Sequence, residues 1–169
     1  MKGLEEARKF YEEAGAEMIS RNFGDFENRI AVGLVGHGSE CFGFDDQTSR
    51  DHDFETGFCL WLTKDDEEKI GFYLMRAYDK LKEEYALKNG VDNARSSVES
   101  SAFKGVFTID DFYRRYTGSD GAPIGWQEWL YTDSFFFAEA TNGEVFRDDL
   151  GEFTKIRNEI LHGMPEDVR

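Results

Sequence analysis

The chain of 169 residues contains 35 acidic and 20 basic residues, which gives a formal net charge of -15. Proteins that bind nucleic acid gain affinity by neutralising phosphates, so this charge disfavours a dedicated DNA or RNA binder. Hydrophobic residues make up 40% of the sequence and include sixteen Phe. This composition excludes an intrinsically disordered chain and provides a core for one compact domain.

No apolar run approaches the roughly 20 residues that a membrane-spanning helix needs. The N-terminal sequence MKGLEEARKF lacks the apolar centre of a signal peptide. Cys41 and Cys59 are the only cysteines, and we interpret both as reduced thiols. The sequence therefore predicts a cytoplasmic protein with no membrane segment.

The first half of the chain begins with a helical pattern and continues with two strand patterns. An apolar stripe at helical spacing runs from about Lys2 to Arg21. The apolar run of residues 30–35 is typical of a short strand, and the glycines that follow it end the strand. Residues 51–62 predict a second strand with a bend at Gly57.

A long helix is predicted after the second strand. Asp65 or Asp66 is suited to cap its first turn, and the pattern continues to about Leu87. The polar segment 89–101 then predicts a loop. Seven residues are expected to form the buried face of this helix: Ile70, Phe72, Tyr73, Leu74, Ala77, Tyr78 and Leu81.

A short strand and a capped helix are predicted next. Val106 and Phe107 indicate the strand. Thr108-x-x-Asp111 has the form of a capping box, which opens a helix through Tyr116. Residues 118–125 are typical of a loop.

The C-terminal part is predicted to be mainly helical. A helix from about Ser134 ends at the C-cap signal Asn142-Gly143, and residues 144–146 add an edge strand. A last helix runs from about Leu150 to Leu161. Its expected buried positions are Leu150, Phe153, Ile156 and Ile160. Interleaved helices and short strands indicate the α+β class, with α/β as the alternative.

Two polar motifs lie between the apolar parts of the two strand patterns. Gly38-Ser39 comes where the first apolar run breaks. Glycine lets the backbone approach a phosphate, whose oxygens can accept from backbone N–H groups and from the Ser hydroxyl. After eleven intervening residues, Asp51 and Asp53 stand two positions apart. On a strand this spacing directs both carboxylates to the same face.

Paired carboxylates near a phosphate-binding bend suit magnesium-assisted phosphoryl chemistry. Mg²⁺ prefers hard oxygen ligands and is commonly held by one or two carboxylates together with substrate phosphates. Asp51 and Asp53 are therefore candidate ligands for Mg²⁺ or Mn²⁺. Ser49 and Arg50, directly before them, are candidate nucleotide contacts, and Arg50 is equally suited to pair with the carboxylates.

The order strand, Gly-Ser, eleven residues, Asp-His-Asp is similar to the signature of the polymerase-β-like nucleotidyltransferase superfamily. That signature has Gly-Gly or Gly-Ser followed, after a spacer of similar length, by Asp-x-Asp or Asp-x-Glu. The strings GSECFGFDDQTSRDHDF, FAEATNGEVFRDDLG and PEDVR also resemble an uncharacterised bacterial domain-of-unknown-function family placed in that superfamily. The resemblance touches residues from about 30 to 169.

The resemblance implies transfer of a nucleoside monophosphate from a nucleoside triphosphate, such as ATP, to a hydroxyl of a small molecule or protein. Gly38 and Ser39 would contact the triphosphate, while Asp51 and Asp53 would bind the metal and support catalysis. Many members have a third carboxylate on a later strand, and the sequence alone assigns no residue to that role.

The resemblance also implies one nucleotidyltransferase-like domain, with a small mixed sheet flanked by helices, over residues 1–169. Its core is expected at about 25–115, and its mainly helical part at about 126–169. Members of the family continue beyond PEDVR, so we expect a short or truncated form.

Two other interpretations stay open. A non-catalytic nucleotide-binding or sensing module with the same fold would use the same residues without turnover. Arg157 and His162 match the Arg-x4-His pattern of helical ribonucleases. The simpler interpretation of that pattern is a helix C-terminus with His162 near the negative end of the helix dipole.

Overall fold

The computed structural model describes residues 2–36, 57–89, 104–132 and 134–163. None of the helices in these ranges is long and apolar enough to cross a membrane.

The N-terminal part is helical up to the first strand. It comprises α1 (Lys2–Phe10), a π-helical turn (Tyr11–Gly15) and α2 (Ala16–Asn22). A 3-10 helix (Gly24–Arg29) then leads into the sheet. The predicted helix from about Lys2 to Arg21 is confirmed, because its apolar stripe packs on the sheet.

The long helix after the second strand is also confirmed. It begins as α3 (Lys64–Asp66), passes through a second π-helical turn (Glu67–Gly71) and continues as α4 (Phe72–Asn89). Four further helices follow in the described part of the chain: α5 (Ile109–Thr117), α6 (Trp126–Tyr131), α7 (Ser134–Thr141) and α8 (Glu152–His162).

The described strands form one mixed sheet in the order β3-β2-β1-β4. The strands are β1 (Ala31–Leu34), β2 (Cys59–Leu62), β3 (Gly105–Thr108) and β4 (Glu144–Arg147). The central strand β1 runs antiparallel to both β2 and β4, whereas β3 runs parallel to β2. The expected α+β class, with a small mixed sheet flanked by helices, is confirmed at this level.

Both faces of the sheet are covered, which explains why β1 and β2 are continuous apolar runs. Val32 and Leu60 pack against α1, α2 and α4 on one face. Ala31 and Trp61 pack against α5, α7 and α8 on the other. Trp61 stacks on Phe153 with ring centroids 3.7 Å apart. The sheet therefore separates two aromatic-rich cores.

Two local signals in the sequence correspond to the structure. The Thr108 hydroxyl accepts from the backbone N–H of Asp111 at 3.1 Å, as the capping box predicts. Gly143 has φ of +66° directly after α7, and β4 follows as an edge strand. Both signals depend on residues close in the chain, so the sequence pattern suffices to predict them.

The predicted cap of the long helix is wrong. The cap is Thr63, whose hydroxyl accepts from the Asp66 backbone N–H at 3.2 Å. Asp65 and Asp66 lie instead in the first turn. The Asp66 side chain is buried and accepts from Arg29 Nε at 2.7 Å. An ion pair with a distant residue therefore determines the role of Asp66.

The predicted buried face of the long helix is wrong at two positions. Ile70, Leu74 and Tyr78, spaced four residues apart, are buried in the first core. Phe72 and Tyr73 project from other sides of the helix and are 59% and 67% exposed. Packing on the sheet sets the orientation of the helix. Phe72 and Tyr73 therefore stay exposed even though both side chains are apolar.

Two predictions near the C-terminus also need correction. Leu150 is 40% exposed and precedes α8, which begins at Glu152 rather than at Leu150. The Asp148 carboxylate accepts from the backbone N–H groups of Gly151 and Thr154 and so fixes the start of the helix. The sequence patterns did not predict α6 at all.

Candidate functional site

All of the predicted site residues lie outside the described residues: Gly38, Ser39, Ser49, Arg50, Asp51 and Asp53. Their mutual arrangement, including the expected strand at residues 51–56, therefore stays a prediction. The described chain reaches Gly36 on one side of this segment and resumes at Gly57 on the other. The structure thus defines the two ends between which the predicted site residues lie.

The two ends meet at one end of the sheet. The antiparallel register pairs Val32 with Leu60 and Gly33 with Cys59, so the carboxyl end of β1 lies beside the amino end of β2. Because β3 is parallel to β2, it begins at the same end. There, the Gly105 backbone N–H donates to the Phe58 carbonyl at 3.1 Å. We call this the Gly36 end of the sheet.

Asn142 holds the chain where it leaves β1. The Gly36 backbone N–H donates to Asn142 Oδ1, and Asn142 Nδ2 donates to the Gly36 carbonyl, both at 2.7 Å. One side-chain amide thus pairs both backbone polar groups of Gly36. The φ angle of Gly36 is +117°, which glycine adopts readily. A Cβ at this position would lie 2.7 Å from Tyr116 Oη.

Arg157 holds the backbone around Asn142 in turn. Its guanidinium donates to the Asn142 carbonyl at 2.8 Å and to the Gly143 carbonyl at 3.2 Å. A Cβ on Gly143 would overlap the carbonyl oxygen of Leu34, so the turn between α7 and β4 packs directly on β1. Arg157, Asn142 and Gly36 form a continuous chain of hydrogen bonds, which we call the Gly36 clamp.

Two buried polar side chains, from α5 and α7, accompany the clamp. Tyr116 is 3% exposed and Glu139 is 5% exposed. Burial raises the pKa of Tyr116; the nearby Arg115 lowers it by a smaller amount, and the Glu139 carboxylate adds to the rise. Like an ordinary tyrosine, Tyr116 is a neutral phenol at physiological pH, and its buried hydroxyl lies beside Gly36.

Two further polar side chains, Tyr78 of α4 and Lys104 before β3, lie beside the amino end of β2. Tyr78 Oη accepts from the Phe58 backbone N–H at 3.1 Å within the core. Lys104 is 9% exposed, and its Cδ lies 3.4 Å from where a Gly57 Cβ would be. A lysine this buried requires a polar or anionic partner, and Lys104 has an interaction partner in the structure. The sequence around Lys104 gave no signal of this placement.

The metal prediction rests on residues outside the described ranges. Within residues 2–36, 57–89, 104–132 and 134–163, no group of three His, Cys, Asp or Glu is arranged to hold a metal ion. Asp51 and Asp53 carry the hard oxygen donors that Mg²⁺ prefers, so their chemistry fits that ion. The assignment stays a prediction from the sequence.

A groove of about 520 Å³ lies between α2 and α4, away from the clamp residues. Its described charged lining residues are Glu13, Glu17, Arg21, Lys80, Glu84 and Lys88. Three acidic and three basic groups give this lining no net charge. The groove therefore offers no electrostatic preference for a polyanion such as a triphosphate.

The ribonuclease pattern loses support because of the position of its arginine. The Arg157 guanidinium binds two backbone carbonyls in the turn between α7 and β4. His162 is exposed at the last residue of α8. Arg157 therefore has a structural contact in the fold, which the short sequence pattern did not indicate.

Comparison with known proteins gives one partial similarity. Residues 129–169, about a quarter of the chain, match the model of a domain of unknown function, DUF4037. No curated protein and no solved structure matches the chain. The matched range includes α7, β4 and α8, and thus both Asn142 and Arg157 of the Gly36 clamp.

Proposed function

We propose that the chain is a magnesium-dependent nucleotidyltransferase of the polymerase-β-like fold. It would move a nucleoside monophosphate from a nucleoside triphosphate to a hydroxyl of a small molecule or a protein. Asp51 and Asp53 are the proposed metal ligands and catalytic residues. Gly38, Ser39 and the neighbouring Ser49–Arg50 pair are the proposed triphosphate contacts.

The observation that carries this proposal is the antiparallel pairing of β1 with β2. The Gly-Ser motif begins two residues after Gly36, and Asp53 precedes Gly57 by four residues. Both ends of the intervening chain lie at the Gly36 end of the sheet, and the proposal puts the two motifs near that end. A fully extended residue spans at most ~3.6 Å, which limits how far either motif can move away.

A triphosphate site on this chain also requires local positive charge. A chain with a net charge of -15 needs local positive groups to attract a triphosphate. Lys104 is buried beside Gly57, at the amino end of β2. The Lys104 ammonium already interacts within the protein, so the divalent cation would offset the charge of the phosphates. The same acidic surface disfavours a polyanionic acceptor.

The proposed reaction is an in-line displacement at the α-phosphorus. The acceptor hydroxyl oxygen forms a bond to that phosphorus, and the bond from phosphorus to the bridging oxygen of pyrophosphate breaks. The hydroxyl proton passes to a base, for which one of the two Asp carboxylates is the candidate. The magnesium ion would neutralise phosphate charge, while the chain holds the reactants in position.

One observation favours a second candidate, a nucleotide-binding module without turnover. Many nucleotidyltransferases have a third carboxylate on a later strand. Of the two later strands in the described part of the chain, β3 (Gly105–Thr108) includes no acid, and Glu144 on β4 forms an ion pair with Arg8. A module of this kind would bind a triphosphate with magnesium and leave it intact.

The test of the proposal is transfer of label from an α-labelled triphosphate. The protein is incubated with magnesium, each of the four triphosphates in turn, and cell extract as the source of acceptor. We expect labelled acceptor and released pyrophosphate with the natural sequence. Asp53→Asn should reduce transfer at least ~100-fold, because a metal ligand contributes several kcal/mol to the transition state.

The matched control is Asp65→Asn, which removes the same charge from an exposed helical position. It should leave transfer unchanged. Unchanged transfer in Asp53→Asn would show that the catalytic assignment is wrong. Binding of a triphosphate without transfer to any acceptor would favour the second candidate.

A further inference from the structure

We propose that Asn142 and Arg157 are positioning residues for the triphosphate, acting through the Gly36 clamp. This inference rests on the proposed function, since it concerns how the chain that leads into the Gly-Ser motif is held. Neither residue is a proposed ligand of the nucleotide. Their role is to fix the direction in which the backbone leaves β1.

The clamp has the geometry of a strand contact. A neighbouring strand would supply one carbonyl and one N–H to the backbone of Gly36, and the Asn142 side chain supplies equivalent groups at 2.7 Å each. The backbone of Asn142 is itself anchored, since its carbonyl accepts from Arg157. The register that holds β1 in the sheet is thereby continued by side chains beyond Leu34.

Because of its location, the clamp is expected to affect phosphate binding as well as stability. Gly36 has a positive φ, and Gly38 follows two residues later. A loosened Gly36 would spread the directions available to the next residues. Phosphate binding by backbone N–H groups depends on their convergence, so a small loss of order here should weaken binding.

The inference also gives the C-terminal part of the chain a function. Asn142 and Arg157 are separated from Gly36 by more than a hundred residues, and both lie in the range that matches DUF4037. Through the clamp, a segment with no predicted substrate contact would control the pose of the triphosphate-binding segment.

The test begins with Asn142→Ala, which removes both hydrogen bonds to Gly36. Equilibrium dialysis with magnesium and an α-labelled triphosphate measures the Kd, and hydrogen exchange followed by mass spectrometry reports on the peptide that contains Gly36. We expect Kd to rise at least tenfold and the Gly36 amide to exchange faster.

Thr108→Ala is the matched control. It also removes a side-chain hydrogen bond to backbone, but from the carboxyl end of β3, at the opposite end of the sheet. Its melting temperature should fall, because a helix N-cap is lost, while its Kd stays within twofold of the natural protein. This comparison separates loss of stability from loss of positioning.

Two further variants test the chain of contacts if Asn142→Ala does not fold. Asn142→Asp keeps an oxygen that accepts from the Gly36 N–H but loses the donor to its carbonyl. Arg157→Lys keeps the positive charge but cannot donate to two carbonyls with the same fork geometry. Each should fold, and each should raise Kd by at least threefold.

The outcomes distinguish this inference from the proposed function. If the natural protein binds no triphosphate, both the proposed function and the positioning role are wrong. If it binds and the clamp variants bind equally well while the Gly36 amide exchanges faster, only the positioning role is overturned. An equal rise in Kd in Thr108→Ala would also overturn it, because the effect would then follow general stability.

Discussion

Gly36 shows how one position combines a backbone requirement with a packing requirement. Its φ of +117° lies in the region that favours glycine, and Tyr116 occupies the space that a Cβ would need. The Asn142 amide then fixes the same backbone from another side. The exit from β1 is therefore specified by three residues that are distant in the chain.

Replacing Gly36 with alanine should lower the free energy of unfolding by roughly 1–3 kcal/mol, the usual cost of a strained backbone conformation. The added Cβ would also lie 2.7 Å from Tyr116 Oη and displace it. Urea denaturation followed by circular dichroism measures the change.

Gly24→Ala is the control for that substitution. Nothing lies within 4 Å of the Cβ that it would add, and its φ is not in the positive region. Its effect on the free energy of unfolding should be less than about 1 kcal/mol. Equal stability of Gly36→Ala and the natural protein would contradict the packing described around Gly36.

The sequence predicted the polar motifs but could not predict the residues around them. Gly38-Ser39 and Asp51-x-Asp53 are short patterns whose chemistry can be inferred from residue type and spacing. Asn142 lies 106 positions from Gly36, and no local pattern links the two. The position of Lys104 could not be predicted either, because its burial beside Gly57 depends on the pairing of β3 with β2.

At the level of elements, the start of the long helix is governed by Thr63. Its hydroxyl caps the first turn, and the buried Asp66 carboxylate pairs with the partly exposed Arg29. The sequence Thr-Lys-Asp-Asp contains three candidate caps, and only the direction of the chain leaving β2 decides among them. This explains why the predicted cap was displaced by two or three residues.

Thr63→Ala should therefore lower the free energy of unfolding by about 1 kcal/mol, the typical cost of losing a helix N-cap. Asp65→Ala, at the exposed position that the sequence indicated as a cap, should cost less than about half of that, since only its interaction with the helix dipole is lost. Thermal and urea unfolding of the two variants provide the measurement. A larger loss in Asp65→Ala than in Thr63→Ala would contradict the observed cap.

Elements with strong local signals were predicted well, and those that depend on packing were not. The capping box at Thr108 and the C-cap at Gly143 both stand where the sequence indicated. The sequence patterns did not predict α6, because its six residues follow a glycine-rich loop and have no capping side chain. Phe72 was misassigned because an apolar residue does not reveal which side of a helix meets the sheet.

Across the whole molecule, the N-terminal and C-terminal parts share one sheet. β4 pairs with β1, and Arg147 on β4 bonds to Glu27 at 3.1 Å and to Asn28 at 3.1 Å. A further ion pair joins Arg8 to Glu144. The segment that matches DUF4037 is thus integrated into the described sheet. The α+β class followed from the order of patterns, but this integration did not.

The central claim is that Asp51 and Asp53 bind one metal-triphosphate complex at the Gly36 end of the sheet. The most direct measurement is a crystal structure with a non-hydrolysable triphosphate and Mn²⁺, whose anomalous scattering locates the ion. We expect the anomalous peak to contact both carboxylates, and the phosphates to lie against Gly38 and Ser39. Carboxylates facing opposite sides of the strand, or a metal-triphosphate complex bound elsewhere on the protein, would contradict the proposed function.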